Sequence, residues 1–334
     1  MSDTILLAHG SGGKLAHRLI EETILSSLSN PVLACMDDSA VLELNGRLAF
    51  TTDSYVVNPI FFPGGDIGRL AVCGTTNDLA MSGATPLYLS LAFIIEEGFA
   101  LSDLKRVLAS IRDTAREASV QIVTGDTKVV NRGNVDKLYI NTAGIGKIPS
   151  EVNISGANIA PGDKVILSGS IGDHGIAIMS KREGLHFSTE LESDCAPLDR
   201  LVADMLSAGA RIHALRDPTR GGLATTLNEL SDQSGVKIIV EEEKIPVRDE
   251  VLGACEMLGF DPLYVANEGK LVAFVPASDA DRVVEAMRRN EYGADAAIIG
   301  QVQQTDTPCV VMKTVLGASR LIDMLVGDLL PRIC

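Results

Sequence analysis

The sequence predicts two domains of mixed α+β type, and three observations support this. The chain has 334 residues, about twice the ~150 of a typical domain. Short apolar, β-branched runs alternate with longer segments of helical period. A turn cluster, Ala160-Pro161-Gly162-Asp163, divides two such series. Apolar residues make up 46% of the chain, enough to fill both cores.

Taken in order, residues 1–42 form a glycine-rich segment followed by a helix from about Leu15 to Leu28. Gly10-Ser11-Gly12-Gly13-Lys14 resembles a phosphate loop but misses the G-x-x-x-x-G-K-[ST] spacing, because position 8 is Ala and Leu15 follows the lysine. It reads either as a plain lead into the helix or as a strand of bare amides able to close over phosphates. Residues 43–155 form the first domain. A hairpin-like strand pair ends at Phe50-Thr51-Thr52-Asp53-Ser54. A helix runs from Asp66 to Met81, and Pro86–Ile95 is a strand. An amphipathic helix spans Leu101–Ala118 with Ser102 as its N-cap. Val120–Val123 is a short strand that stops at Gly125-Asp126-Thr127-Lys128, and Leu138–Gly146 is another strand.

The second domain, 156–326, begins with a strand at Lys164–Leu167. Ser168-Gly169-Ser170-Ile171-Gly172-Asp173 then opens a helix to Glu183. Helices are expected near 198–208, 220–234, 249–258 and 278–290, and strands near 236–240, 270–275, 296–302 and 309–313. A last short helix is expected over Ser319–Val326. The tail, 327–334, ends Pro331-Arg332-Ile333-Cys334. Fully extended, it reaches ~26–29 Å, and it presents one thiol beside the chain's own carboxylate.

Composition excludes several classes. A net charge of −15 disfavours nucleic-acid and anionic-membrane surfaces, and 4% aromatics with no Trp gives no base-stacking platform. No apolar run reaches the 18 or so residues of a membrane span, and no signal peptide is visible. The six cysteines form no C-x-x-C pair, which argues against a disulfide framework or zinc site and fits a reduced, cytoplasmic protein.

Candidate chemistry sits in a few motifs. Asp37/Asp38, Asp53, Asp78 and Asp126 fall at strand ends or helix edges, each motif beside Ser, Thr or Asn. Each alone suits a cap or turn. Together they supply hard oxygen ligands of the kind Mg²⁺ takes alongside substrate phosphates. Asp217-Pro218-Thr219-Arg220-Gly221-Gly222 reads as a helix-start anion site with Arg220 as clamp, or as an ordinary glycine-containing helix start. Glu268, in Asn267-Glu268-Gly269-Lys270, is a base or the polar lip of a turn. His174 and His213 either line a cleft or are structural, the more common role.

Read together, Asp37-Asp38-Ser39-Ala40-Val41, Thr51-Thr52-Asp53, Asn77-Asp78-Leu79-Ala80, Gly125-Asp126-Thr127-Lys128, Asp217-Pro218-Thr219-Arg220-Gly221-Gly222 and Asn267-Glu268-Gly269-Lys270 resemble the PurM-like (aminoimidazole-ribonucleotide-synthetase) ATP-binding superfamily. With the terminal Pro-Arg-Ile-Cys, the likeness narrows to the carbamoyl dehydratases of [NiFe]-hydrogenase maturation. It covers nearly the whole chain, with Ser39 a minor departure. The resemblance implies a PurM-like α+β fold whose first-domain sheets join two subunits in a barrel-like dimeric core, with ATP and Mg²⁺ bound near the interface. It implies nucleotide contacts from Gly12, Lys14, Asp38, Asp53, Asn77, Asp78, Asp126, Thr127, Asp217, Arg220, Gly221 and Gly222. Asp38, Asp53, Asp78 and Asp126 would hold metal. It implies that a carbamoyltransferase, HypF, loads Cys334, that ATP drives dehydration to a thiocyanate, and that cyanide passes to iron on a HypC–HypD complex. In that chemistry Glu268 or Lys128 takes the nitrogen proton, and Lys128 alternatively neutralises the amide oxygen. The competing readings are another ATP-dependent enzyme of the superfamily (a small-molecule kinase or selenophosphate synthetase) and a non-catalytic thiol carrier. The synthetase places its reactive residue near the N-terminus, where this chain has no Cys before Cys35.

Overall fold

The computed structural model describes residues 3–11, 13–36, 39–184, 191–324 and 333. Gly12, Asp38 and Cys334 lie outside the described residues, as does most of the tail.

The N-terminal helix is continuous but not uniform. Its ends, α1 (Lys14–Leu19) and α2 (Ser26–Leu28), flank a π-wound middle at Ile20–Leu25. The first domain then runs β1 (Arg47–Tyr55), a small hairpin β2 (Phe61–Phe62) and β3 (Gly65–Asp66), α3 (Ile67–Met81), β4 (Thr85–Glu96), α4 (Leu101–Glu117), β5 (Gln121–Val130) and β6 (Leu138–Ile148). The four long strands make one sheet in the order β1-β6-β4-β5. The pairs β1/β6 and β4/β6 are antiparallel, and β4/β5 is parallel across the α4 crossover.

The helix at 67–81 forms because Asp66 caps it, its Oδ1 accepting from the amides of Gly68 (2.8 Å) and Arg69 (3.0 Å). Apolar residues then ring it on all sides, so it must be buried on all sides. One face lies on β1 and β6, and the other meets α6 and β8 of the second domain. Ala80 and Met81 belong to the second domain's core. The α4 start differs from expectation. Ala100 holds the cap position without a side-chain bond, and the Leu101 amide donates instead to the Asp3 carbonyl (3.0 Å). That partner makes a Ser102 cap unnecessary.

The second domain comprises β7 (Asp163–Leu167), α5 (Asp173–Glu183), α6 (Asp199–Ser207), β8 (Ala214–Arg216), α7 (Gly222–Ser234), β9 (Lys237–Glu241), α8 (Asp249–Leu258), β10 (Val272–Pro276), α9 (Ala280–Arg288), β11 (Ala297–Gln303), β12 (Cys309–Lys313) and β13 (Ser319–Ile322). Its sheet is seven-stranded, ordered β13-β12-β9-β11-β7-β10-β8. Three further expectations are corrected. Among the described residues before β1 there is no strand to make a hairpin ahead of Asp53; β1 finds its partner in β6 instead. Gly125–Lys128 continues β5 rather than ending it, held by parallel pairing to β4. Ser319–Ile322 is strand, not helix, because it returns along β12 after a turn in which the amides of Gly317 and Thr314 bond back across it.

Candidate active site

Between the domains lies a cavity of about 560 Å³, bounded by the end of β1, the C-terminal half of α3, the loop before α7 and Glu268. Strand alternation decides which motifs face it. On β1, Thr51, Asp53 and Tyr55 point toward α3, while Phe50, Thr52 and Ser54 face the opposite side. Thr51 donates to Asp78 Oδ2 at 2.8 Å, fixing that carboxylate against the strand. The Asp53 carboxylate accepts from the Ser54 amide at 2.7 Å. Across the cavity stand Arg216, Asp217, Thr219 and Arg220.

The glycines of the Asp217–Gly222 turn build the wall and do not face the cavity. Gly221 and Gly222 have φ of +76° and +61°, a region that glycine enters without strain. A Cβ on Gly222 would also press on the Leu263 and Val265 carbonyls. Asn77 is likewise structural. Buried within α3, its amide donates to the carbonyls of Ala196 (3.0 Å) and Glu268 (3.3 Å) and accepts from the Leu198 amide (2.8 Å). It ties the first domain to two segments of the second.

Glu268 is 4% exposed, and its Oε1 has no hydrogen-bond partner. Burial, then the neighbouring Cys195, Asp217, Asp194 and Asp53, push its pKa well above the carboxylate range. Asp217 is raised to about 7, by burial and then by Asp78, with Arg216 opposing. Asp78 is raised by burial and Asp53, against the Thr51 bond and the arginines at 216 and 220. Carboxylates that hold one another's protons in this way are starved of positive charge. Hard oxygen donors in that state suit Mg²⁺. Among the described residues no three acidic, His or Cys side chains gather tightly enough to cage a metal alone. That fits an ion held by one or two carboxylates and by phosphates.

Asp126, Thr127 and Lys128 lie elsewhere. Three strand spacings separate β1 from β5, ~14 Å at ~4.8 Å each. Asp126 stands in the row of Ser54, Asn141 and Ala92, on the face opposite to Asp53. There it pairs with Lys128 (3.2 Å), both side chains well exposed. These residues share a second cavity, about 440 Å³, with His9, Gly10 and Ser11. Gly10 packs so closely on β5 that a Cβ would clash with the Val129 amide. Lys14 is exposed at the start of α1. The predicted site residues thus fall into two groups: Asp53, Asp78, Asp217, Arg220 and Glu268 in the cleft, and the glycine segment with Asp126–Lys128 at the far sheet edge. The four acidic motifs do not converge within one chain, and Lys128 is not beside Glu268.

Sequence reasoning gave no role to Asp194, read Cys195 as a small core residue, which it is, and left His174 between lining a cleft and a structural role. Asp194 pairs with Lys270 (3.3 Å) and accepts from the Glu268 amide (3.1 Å). A Cβ at Gly269 would collide with the Asp194 carbonyl, so glycine lets this segment lie against Glu268. His174 is fully buried, and its Nε2 meets the Ile333 carbonyl at 3.0 Å.

Residues 36–148 match the model for the N-terminal domain of AIR synthase related proteins, and residues 160–313 match that for the C-terminal domain. The carbamoyl dehydratase HypE of Azotobacter vinelandii is 53% identical over 332 residues, covering 99% of this chain and 97% of its own. This chain belongs to the HypE family of AIR synthase related proteins. Among solved structures, the hydrogenase maturation protein HypE in complex with ATP superposes with a TM-score of 0.96 at 51% identity, covering 99% of this chain and all of that one. HypE from a HypE–HypF complex superposes at 0.81 with 50% identity, covering 92% and 99%. Membership in HypE favours the dehydratase reading over the kinase and thiol-carrier alternatives. Among the described residues no helix is long and apolar enough to cross a membrane.

Proposed function

We propose that this chain dehydrates a carbamoyl group carried on its own C-terminal cysteine, using ATP, to a thiocyanate that supplies cyanide to hydrogenase iron. The single observation that carries the chemistry is Glu268. It is a buried, unpartnered carboxyl at the junction of the cleft and the segment that meets the tail. An amide oxygen leaves poorly as hydroxide. In the proposed reaction it attacks the γ-phosphorus of ATP and ADP departs. The nitrogen loses one proton as the O–P bond forms and its second as the C–O bond breaks, phosphate leaves and C≡N forms. A carboxylate with a raised pKa is a strong proton acceptor once ionised, and Glu268 takes that role. Arg220, opposed to Asp53 and Asp78 across the cleft, binds the phosphates.

Magnesium, when bound, would screen phosphate charge, and Asp53 and Asp78 are its holders within one chain. Asp126 joins them from a second copy. The outer sheet face exposes Phe50 (72%), Leu48 (44%) and Ile94 (41%). Two such faces closing about a two-fold axis bring β1 of one copy beside β5 of the other. That lays the glycine segment, Lys14, Asp126, Thr127 and Lys128 of one copy against the cleft of its mate. The homodimer, the partners HypF and HypC–HypD, and the domain limits 43–155 and 156–326 belong to this proposal. It is supported by the ATP complex and the HypF complex of related HypE proteins.

The test is intact-mass spectrometry after incubation with the carbamoyltransferase, carbamoyl donor and ATP. Wild type should pass through a thiocarbamate to a thiocyanate, and Cys334→Ala should fold, bind ATP and gain neither. A converted adduct on Cys334→Ala would move the chemistry to another cysteine.

A further inference from the structure

The penultimate residue is held with unusual care. Ile333 is 4% exposed and packs into the first domain's core cluster together with Phe62, Ile178, Met179 and Cys195. Its carbonyl can only accept, so the contact at 3.0 Å requires a proton on His174 Nε2. Burial lowers the His174 pKa, which keeps the ring neutral. Nδ1 must then be the acceptor, and Ser193 Oγ lies 2.8 Å from it. The same Oγ accepts from the Cys195 amide at 3.1 Å. Phe62 presses edge-on against the imidazole with centroids 5.6 Å apart, and the Ser193 amide donates to Pro63 (2.9 Å). A directed chain therefore runs from the Cys195 amide through Ser193 and His174 to the Ile333 carbonyl. That chain sits on the segment whose next residues abut Glu268.

We infer that His174 and Ser193 are positioning residues for the dehydration step, clamping the peptide carbonyl that precedes Cys334 so that its adduct meets Glu268 in one register. The clamped carbonyl carbon is bonded directly to the Cys334 nitrogen. The imidazole, locked as a single tautomer, gives the clamp a direction that an apolar slot would lack. This inference rests on the proposed function. It adds to that reading which side chains fix the register.

The experiment is a single-turnover conversion of pre-carbamoylated protein at saturating ATP, read by intact mass, with the KM for ATP and the rate of loading measured alongside. In His174→Gln the amide nitrogen falls near the Nε2 position and can still donate; in His174→Asn it falls near Nδ1 and cannot. Misplacement by about 1 Å costs on the order of 10–100-fold. Conversion in His174→Asn should slow by that factor, with loading and KM unchanged, and His174→Gln should recover most of it. Should both histidine variants misfold, Ile333→Ser, which alters only the tail, must show the same split. Thiocyanate from the wild type with equal rates in every variant overturns the clamp alone. Slowing matched by a raised KM for ATP also overturns it, as a general structural effect. No thiocyanate from the wild type overturns the dehydratase reading and the clamp with it.

Discussion

Replacing Asp217 with Asn should stabilise the free protein at high pH and weaken it as an enzyme. The Asp217 carboxyl titrates at about 7 in the fold against 3.8 unperturbed, pushed up by burial and by Asp78. Between those two values the folded chain keeps a proton that the unfolded chain has lost. Stability therefore falls as pH rises from about 4 to about 7 and is level above. Three units at ~1.36 kcal/mol each set a ceiling of ~4 kcal/mol. Asp217 is only half-buried, and screening by solvent reduces this to roughly 2 kcal/mol. For domains of this size that is roughly a 4–8 °C gain in melting temperature. Differential scanning calorimetry of both proteins without nucleotide should give a gap near that size at pH 8 that closes by pH 4. Comparing the two pH values cancels any pH-independent cost of the amide. Excess MgATP should reverse the order, because magnesium held by Asp53 and Asp78 would favour the ionised Asp217 carboxylate over a neutral amide. A gap of equal size at both pH values would refute the reasoning.

Glu268→Gln keeps shape and removes the basic oxygen; ATP binding should persist while dehydration drops ~10²–10⁴-fold, so thiocarbamate accumulates on Cys334. Normal thiocyanate yield would assign the proton to another group, with Lys128 of a second copy next in line. The dimer predicts complementation. Asp78→Asn and Asp126→Asn should each lose ~100-fold or more in ATP turnover, yet unfolding and refolding them together should restore about a quarter of wild-type activity through mixed pairs. Light scattering should report twice the 35.4 kDa chain mass, and a mixture as inactive as its components would sink the shared site.

What the sequence made legible followed from local rules. The helix expected from Asp66 to Met81 is α3, and Asp66 caps it; its burial on both faces depends on the second domain. Ser319–Ile322 was not legible, because four residues with no periodicity take their state from β12. The division of the acidic motifs into two groups was hidden for a similar reason. Whether Asp53 and Asp126 share a face depends on register across β6 and β4, which only long-range pairing sets. His174 stood 159 positions from the carbonyl it holds, and no local signal marks such a partnership. Glu268 and Asp217 were legible as motifs, but their perturbed pKa values belong to the assembled cleft.

The three hydrogen bonds of Asn77 have a kinetic consequence. One buried amide fastens α3 to the backbone on both sides of the cleft wall. Separating the domains would strand those groups without partners, at a cost of ~1–3 kcal/mol each. The walls of the cleft are thus set at folding, and the conformational entropy of aligning them is not lost again with each ligand that arrives. Under the proposed function, nucleotide would reach the cleft through a mouth beside the exposed Arg216 and Arg220. Its entry would then be set by diffusion and charge, without waiting for the domains to part.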